Sequence, residues 1–547
     1  MTRRLQVVIA AAALTGALVG LVIAGFERIT DEVLLERVLT APLWQQMLAP
    51  AAGLLITAAV LRFLGGGTTP ATADEYIGNF HDRRRVLPLR PWPARLLGGV
   101  ATVGLGGSMG LEGPSIYTGA VLGSALQRRL KGIFTRDDAK LLLVAGAAAG
   151  VAAIFKTPAT GVVFALEVPY QDDVARRALI PALIASASSY LVFVTVVGNT
   201  EPIFPVFGSV PHFGLAELGG AALVGVAAGL GARGFSWGVL HAKALAEKLP
   251  LLIRVSVAGA ILAGVAGLSA LVFDLPLTLG PGYDILTWIG DPSVGLELVA
   301  LLFALRAVAT IATLGGGGAG GLFIPLGVLG LLLGRFVAGV LDEPSSALFP
   351  FIGLAAFLGA GYRTPIAAVM FVAESTGRAG FVVPALIAAA VSQLVMGRWS
   401  VSTRQQSVRA GHLERRFLLP VTSALTTDVL TVPPDATMSE FVYVHVLGHR
   451  ERSVPVVADG RYLGMCDLEA VSEVPREHWD STTVEPLVRD HHPVGAPSWT
   501  LRDALVAMDD ADVDRLPLAD AGGSFIGIVE LAEILKLDEI LEETSGT

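Results

Sequence analysis

One acidic residue, Glu112, lies inside the glycine-rich apolar stretch Gly106–Pro114, where its type and position suggest chemistry. The stretch reads Gly-Gly-Ser-Met-Gly-Leu-Glu-Gly-Pro and is followed by an apolar segment. Glycines let the backbone turn sharply and expose its amides, and a proline near the first helical position begins a helix without losing a needed donor. An ionisable side chain at membrane depth is costly and indicates a function. We predict that exposed backbone amides form an anion site here. The Glu112 carboxylate occupies this site and leaves it when it is protonated.

The same construction occurs a second time in the sequence. Gly110–Gly123 aligns with Gly321–Gly334, and six of the fourteen positions are identical, including Pro114 with Pro325. A half-helix that begins inside a membrane directs free N–H groups and the positive end of its dipole at its entrance, which favours anions. Paired interrupted segments in two halves of a chain are typical of a transporter binding site. The repeat therefore predicts an anion site between the two copies.

A second pair of matching segments follows the first. Thr157-Pro158 corresponds to Thr364-Pro365, and each pair is typical of a capping residue followed by the first residue of a helix. We expect two more half-helices to begin there and their starts to converge with the first two. Such a cluster of helix starts would hold an anion without a full positive charge, so that the anion could also leave.

Two structural alternatives remain open for these motifs. The glycines also suit close packing between membrane helices, which would need no bound ion. Glu112 is equally compatible with a hydrogen bond between helices. Glu167 and Glu374, at equivalent positions of the two repeats, are compatible with structural, water-facing or functional roles.

The elements that position these residues are long apolar stretches. The chain has 547 residues, of which 53% are hydrophobic and 16% charged, with mean hydropathy +0.64. An average soluble chain carries about 25% charged residues, so the composition is typical of a membrane protein rather than of a soluble enzyme. The first stretch follows Arg3 and Arg4 and is interpreted as a membrane helix with a cytoplasmic start rather than as a signal peptide. The apolar stretches, several of them interrupted by Gly and Pro, cover residues 7–26, 47–64, 95–127, 138–168, 178–198, 214–236, 251–274, 297–341, 346–375 and 381–397.

The C-terminal region differs from the rest in charge. Residues 421–547 hold 24 acidic and eight basic residues, whereas the preceding residues hold 24 acidic and 31 basic ones. A strand–turn–strand pattern with a following helix start occurs twice there, which predicts two α/β modules at 421–478 and 479–547. The single cysteine, Cys466, excludes an intrachain disulfide and a cysteine-cluster metal site, and it suits a reducing cytosol.

These motifs resemble the CLC family of chloride channels and proton-coupled chloride transporters. Gly110–Pro114 is similar to the family's G-(K/R)-E-G-P element, and Gly321–Pro325 is similar to its G-x-F-x-P element. The resemblance implies that Glu112 is the gate. It also implies anion contacts for a set of residues that comprises Gly110, Leu111, Gly113, Leu322, Phe323 and Ile324.

The resemblance also implies an architecture. The fold class would be a polytopic α-helical membrane protein with broken helices and an internal inverted repeat, plus a cytosolic pair of CBS modules. The transmembrane domain would cover residues 1–415, with repeat halves at about 45–200 and 214–400. A homodimer in the cell's inner (plasma) membrane with cytoplasmic N- and C-termini is implied, and neither a nucleic-acid partner nor enzymatic activity is expected.

Three departures from the family pattern affect the expected site. The G-S-G-I-P anion segment corresponds at best to Gly66–Pro70, in which Gly67, Thr68 and Thr69 are the anion-binding candidates and a threonine would supply the hydroxyl. Leu111 replaces the usual basic residue before the gate. The pore-lining tyrosine has no counterpart in Trp399–Gln405.

Val168 stands where proton-coupled members commonly carry the inner proton-relay glutamate, next to Glu167. Because valine binds no proton, we predict a chloride channel that Glu112 gates by protonation. A proton-coupled antiporter of chloride or another halide remains an alternative, since protons could reach Glu112 through water or Glu167. A CBS-containing cation transporter is the alternative of a different class, and it would need converging carboxylates or carbonyls.

The tail departs from the nucleotide-binding pattern of CBS modules. The places that usually hold Thr/Ser and a later Asp read Asp467 and Ala470 in the first copy, and Glu530 and Glu533 in the second. Extra carboxylates disfavour phosphate, although Glu533 could accept ribose hydroxyls. We expect no resident cofactor and no metal, and a structural role in dimerisation for the tail.

Overall fold

The computed structural model divides the chain into two compact units, Met1–Arg409 and Ala410–Thr547, and each is described by itself. The described residues are 3–82, 87–130, 133–134, 140–204, 206, 214–343, 346–406, 418–449, 451–488, 492–534 and 536.

The first unit is helical. A π-helical stretch, Ile29–Leu35, joins its first two helices into one continuous span. In chain order the helices are α1 Arg3–Arg28, α2 Glu36–Leu39, α3 Leu43–Phe63, α4 Ala73–His81, α5 Pro91–Gly104, α6 Glu112–Arg129, α7 Leu141–Phe155, α8 Pro158–Glu167, α9 Leu179–Val197, α10 Leu215–Lys248, α11 Leu251–Phe273, α12 Asp284–Ile289, α13 Leu296–Gly315, α14 Phe323–Val340, α15 Leu348–Tyr362, α16 Pro365–Thr376 and α17 Val382–Met396.

The expected interruptions of the apolar stretches are present. Eight helical segments of the described chain are long and apolar enough to cross a membrane. The stretch at 95–127 divides into α5 and α6, and the stretch at 297–341 divides into α13 and α14. Helices α7, α8, α15 and α16 have only 10 to 15 residues, fewer than the roughly 20 that span a bilayer. The prediction of a polytopic membrane protein with broken helices is confirmed.

Helix packing repeats along the chain. α1 packs on α7 and α9, as α10 packs on α15 and α17; α6 packs on α7, as α14 packs on α15. α3 contacts α5, as α11 contacts α13. α1 and α10 thus take equivalent places in the packing of the two halves. The two halves meet where α3 contacts α11 and α8 contacts α16.

Some motif glycines serve close helix packing. A Cβ added at Gly119 in α6 would lie 1.8 Å from the carbonyl oxygen of Gly146 in α7, and one added at Gly146 would lie 1.9 Å from that of Gly119. Gly330 and Gly353 stand in the same relation between α14 and α15, at 2.3 Å in both directions. The packing interpretation therefore holds for these positions of the repeated motif.

The second unit contains two small sheets. In the first, β1 Leu425–Thr426 pairs with β5 Phe525–Glu530, which also pairs with β4 Arg515–Ala519; in the other, β2 Ser453–Ala458 pairs with β3 Arg461–Asp467. Each β-hairpin packs against its own apolar cluster, one of which contains the buried Cys466. The repeated strand–turn–strand prediction is confirmed. The strand β1, close to the start of this unit, joins the sheet of the second module.

Candidate functional site

The starts of α6 and α14 are joined directly to each other. The Gly110 amide donates to the Gly321 carbonyl at 3.0 Å, and the Gly321 amide donates to the Gly110 carbonyl at 2.8 Å. This antiparallel bridge links the two copies of the repeated motif at equivalent residues. Two half-helix N-termini from different halves of the chain are thus brought together in the interior.

The Glu112 side chain lies at this junction. It is 1% exposed, and its Oε1 accepts a hydrogen bond of 2.6 Å from the backbone N–H of Phe323 at the start of α14. Among the described residues, its Oε2 has no hydrogen-bond partner. A carboxylate oxygen therefore occupies the position that the start of α14 provides for an anion.

Two glycines make room for this carboxylate. A Cβ added at Gly110 would lie 1.9 Å from Oε2 of Glu112, and one added at Gly321 would lie 2.0 Å from Oε1. Gly113 serves a different contact, because its Cβ would lie 2.5 Å from both the Gly320 carbonyl oxygen and the Thr72 hydroxyl. The glycines of the motif therefore have two roles: some leave room for the Glu112 carboxylate, and Gly113 allows close contact with Gly320 and Thr72.

The amide that holds Glu112 belongs to a residue whose ring is enclosed by aromatic rings. The ring centroid of Phe323 lies 5.0 Å from those of Phe155 and Phe164, and 4.9 Å from that of Phe371. These rings come from α7, α8 and α16, and we call the three of them the Phe323 cage. The cage was not predicted from the sequence, although Phe164 and Phe371 precede Glu167 and Glu374 by three residues each.

The starts of α8 and α16 are occupied by carboxylates of the opposite half. Glu374 accepts from the amides of Ala159 and Thr160, at 2.9 and 2.6 Å, and from the Thr160 hydroxyl at 2.6 Å. Glu167 accepts from the amides of Ile366 and Ala367, at 3.2 and 2.9 Å.

This arrangement corrects two expectations. Neither Thr157 nor Thr364 makes a capping hydrogen bond through its side chain, because the glutamates take that role. The starts of α8 and α16 also do not present free amides to an anion, since carboxylates already bond those amides. Of the four expected half-helix starts, those of α6 and α14 meet at Glu112.

Val168 is buried, with 1% of its surface exposed. Its carbonyl accepts from Gln405 Nε2 at 2.9 Å, and the same nitrogen donates to the Tyr362 carbonyl at 2.6 Å. The Gln405 Oε1 in turn accepts from the Ser400 hydroxyl at 2.6 Å. The stretch that lacks the expected tyrosine is therefore fastened to the backbone at Val168 by a glutamine.

The segment around Gly67, Thr68 and Thr69 lies beside a buried cation. Arg95 of α5 is 4% exposed; its Nε donates to the Thr69 carbonyl at 3.0 Å and its Nη2 to the Thr69 hydroxyl at 3.2 Å. The guanidinium also stacks over the Tyr117 ring at 4.5 Å. Arg95 was not predicted as a site residue, although a lone cation in the apolar helix α5 was a usable signal.

The Thr69 hydroxyl bonds Arg95, and a different threonine reaches the start of the second motif. The Thr72 hydroxyl donates to the Gly320 carbonyl at 3.3 Å. Leu111 and Leu322 are buried at the positions that precede α6 and α14.

In the second unit, a cavity of about 640 Å³ lies between the two modules. Asp467 and three further aspartates line it, Asp509, Asp512 and Asp514. Arg515, which also lines it, is already paired with Glu451 at 2.6 Å and Glu530 at 2.9 Å. Glu533 is paired with Lys536.

Two protein-family models match the chain, one within the first unit and one, twice, within the second. The model of the voltage gated chloride channel family matches residues 52–397. The model of the CBS domain matches residues 421–476 and 488–539.

Several solved structures share the fold. A slow cyanobacterial Cl⁻/H⁺ antiporter is 23% identical with a TM-score of 0.62, and the match covers 72% of this chain and 95% of that one. A CLC-type fluoride/proton antiporter is 22% identical with a TM-score of 0.64, covering 74% and 100%. A eukaryotic CLC transporter is 17% identical with a TM-score of 0.60, covering 97% and 98%. The last match extends over both units.

Proposed function

The chain belongs to the voltage-gated chloride channel family and carries a C-terminal pair of CBS domains. We propose that it conducts chloride passively through a pathway gated by Glu112. The observation that carries the proposal is the hydrogen bond from the Phe323 amide to the Glu112 carboxylate at 2.6 Å. The carboxylate and a chloride ion compete for the same backbone donors. Protonation removes the charge of Glu112 and weakens this bond, so that chloride replaces the side chain.

The residues at and beside the proton-relay position support passive conduction. Val168, at the proton-relay position, has no titratable group. The neighbouring Glu167 uses both carboxylate oxygens to accept amide bonds from α16. If Glu167 moved away to carry a proton, the amides of Ile366 and Ala367 would lose their acceptor, which is costly. Protons therefore reach Glu112 from water rather than through a chain of inner carboxylates.

We expect chloride to move without a coupled proton. In vesicles that contain the purified full-length protein, an outward chloride gradient should drive valinomycin-dependent chloride efflux with no uphill proton uptake. A chloride electrode and a pH electrode read the two ions simultaneously. Proton uptake that is driven by the chloride gradient and lost in Glu112→Ala would contradict the channel proposal and establish exchange.

Proton-coupled exchange of chloride or another halide is the second candidate. Two of the structurally similar proteins are described as a Cl⁻/H⁺ antiporter and a fluoride/proton antiporter, and Glu112 itself can carry a proton. Repeating the flux measurement with fluoride and with chloride separates the halides.

A cation pathway is disfavoured by the donors at the site. The donor that meets Glu112 is the backbone N–H of Phe323 at the start of α14, whereas a cation requires oxygen ligands. Replacing external chloride with gluconate while magnesium is varied tests this directly: only the anion proposal expects the current to follow chloride.

We propose that the protein is a homodimer in the inner (plasma) membrane, with both termini in the cytoplasm. Arg3 and Arg4 at the N-terminus and Arg128 and Arg129 at the end of α6 support that orientation under the positive-inside rule. Mass determination by light scattering in detergent tests the dimer, and cysteine labelling from either side of sealed vesicles tests the orientation.

We propose that the tail binds no nucleotide. Four aspartates line the cavity between its modules, beside Ser453 and His492, and Arg515 is engaged by two glutamates. The excess of carboxylates would therefore repel a phosphate. ATP at millimolar concentration is therefore expected to leave the thermal unfolding of the full chain unchanged. A ligand present at 100 times its Kd would stabilise the protein by about 2.7 kcal/mol. A rise in melting temperature with ATP would contradict this expectation.

A further inference from the structure

The two glutamates of the repeat cap each other's helices. Glu167, the last residue of α8, bonds the amides at the start of α16, and Glu374, near the end of α16, bonds the amides at the start of α8. The two helices therefore run antiparallel, and each is fastened at both ends to the other. A carboxylate at a helix N-terminus is favoured by the free amides and by the helix dipole. The pair of caps sets how α8 and α16 lie along each other.

The same two helices hold the ring of the residue that binds the gate. Phe164 lies one turn before Glu167, and Phe371 lies one turn before Glu374. Both rings meet the Phe323 ring edge-on, at interplanar angles of 89° and 81°. Phe155 stacks on the same ring at 28°. Sliding α8 along α16 would shift two sides of the Phe323 cage.

The ring and the amide of Phe323 move together, because that residue begins α14. Its N–H is the donor to Glu112, and a charge-assisted hydrogen bond weakens steeply when its length or angle changes. Interiors of packed side chains transmit displacement rather than absorb it. The position of the Phe323 cage therefore affects the bond that holds the gate.

We propose that Glu167 and Glu374 are positioning residues for the gate: their reciprocal caps hold the Phe323 cage, and through it the amide that binds the Glu112 carboxylate. This inference rests on the proposed gating role of Glu112. It gives the two repeated glutamates a function that requires neither proton transfer nor contact with the permeating anion.

The test is the pH dependence of chloride flux in vesicles for Glu374→Gln and Glu167→Gln. Glutamine keeps one acceptor oxygen and loses the other, so one amide of the capped helix is left without its partner. If the Phe323 amide is held less firmly, its hydrogen bond to the ionised Glu112 carboxylate is weaker. Glu112 is then protonated, and the pathway opens, at less acidic pH. We expect the midpoint of the flux–pH curve to move upward by about one pH unit, which corresponds to a tenfold change in an equilibrium.

Two further variants separate positioning from general damage. Phe371→Leu changes the cage directly and is expected to move the midpoint in the same direction. Phe273→Leu is the matched control: its buried ring lies 5.3 Å from Trp288 and is not part of the Phe323 cage, so the midpoint should stay. Thr160→Ser keeps the hydroxyl that bonds Glu374 and should behave as the original protein.

The outcomes distinguish this inference from the function on which it rests. When Glu374→Gln is added to Glu112→Gln, the flux of the double variant should depend on pH no more than the flux of the Glu112→Gln variant does. If Glu112→Gln removes pH dependence but the glutamate variants change only the amplitude of flux or the yield of protein, the positioning role is overturned and the gate stands. If Glu112→Gln leaves the pH dependence intact, the gating proposal itself fails.

Discussion

Glu112→Gln is expected to leave the chloride pathway open across the pH range in which the original protein closes. Glutamine has the size of glutamate but no charge, so its bond to the Phe323 amide falls from the charge-assisted class to the neutral class. The difference is about 1.4 kcal/mol, or about tenfold in occupancy of the closed position. Chloride flux at pH 7.5 should therefore rise about tenfold toward its acidic plateau, as measured by efflux from vesicles at stepwise pH.

A matched control for this variant is Glu247→Gln, which neutralises an exposed glutamate near the end of α10 and should keep the original pH curve. Glu112→Ala, which also removes the side-chain oxygens, should be at least as open as the glutamine variant. A Glu112→Gln protein that conducts with the original pH dependence would exclude Glu112 as the gate.

Gly119→Ala is expected to destabilise the membrane unit strongly. The added methyl group would lie 1.8 Å from a backbone carbonyl oxygen of α7, and a backbone atom cannot rotate away as a flexible side chain can. α6 must then separate from α7, at a cost of about 1–3 kcal/mol or more. The measurement is thermal unfolding in detergent together with the yield of monodisperse protein.

Gly264→Ala provides the comparison for the packing prediction. Gly264 lies in the membrane helix α11, and a Cβ there would meet no atom within 4 Å. This variant should unfold at the original temperature or slightly above it, since alanine favours a helix over glycine. Equal unfolding temperatures for the two alanine variants would show that the close contact between α6 and α7 does not determine the stability of the membrane unit.

Much of the architecture was predictable because it depends on composition and periodicity. Long apolar stretches interrupted by Gly and Pro indicated broken membrane helices, and the matching motifs at Gly110 and Gly321 indicated two halves. The acidic excess after residue 421 marked the separate CBS pair. The equivalence of α1 and α10 was not predictable, because it lies in their packing and not in the letters of the sequence.

The candidate site was predictable only in part. Glu112 could be identified from its neighbours, because a carboxylate among glycines in an apolar segment is unusual whatever the fold. The caps made by Glu167 and Glu374 could not be found that way. Each bonds amides about 200 residues away, and a sequence does not state which distant helix start a carboxylate will reach.

The glycines show most clearly which features the sequence determined and which only the tertiary structure determined. The sequence alone determined that both halves carry the same glycine-rich helix starts and that one of them contains a glutamate. Only the tertiary structure decided that Gly110 and Gly321 leave room for the Glu112 carboxylate, whereas Gly119 and Gly146 let two helices touch. The physical reason is that a missing side chain has no effect by itself. Its effect is decided by the atom that fills the space, and long-range packing alone determines which atom that is.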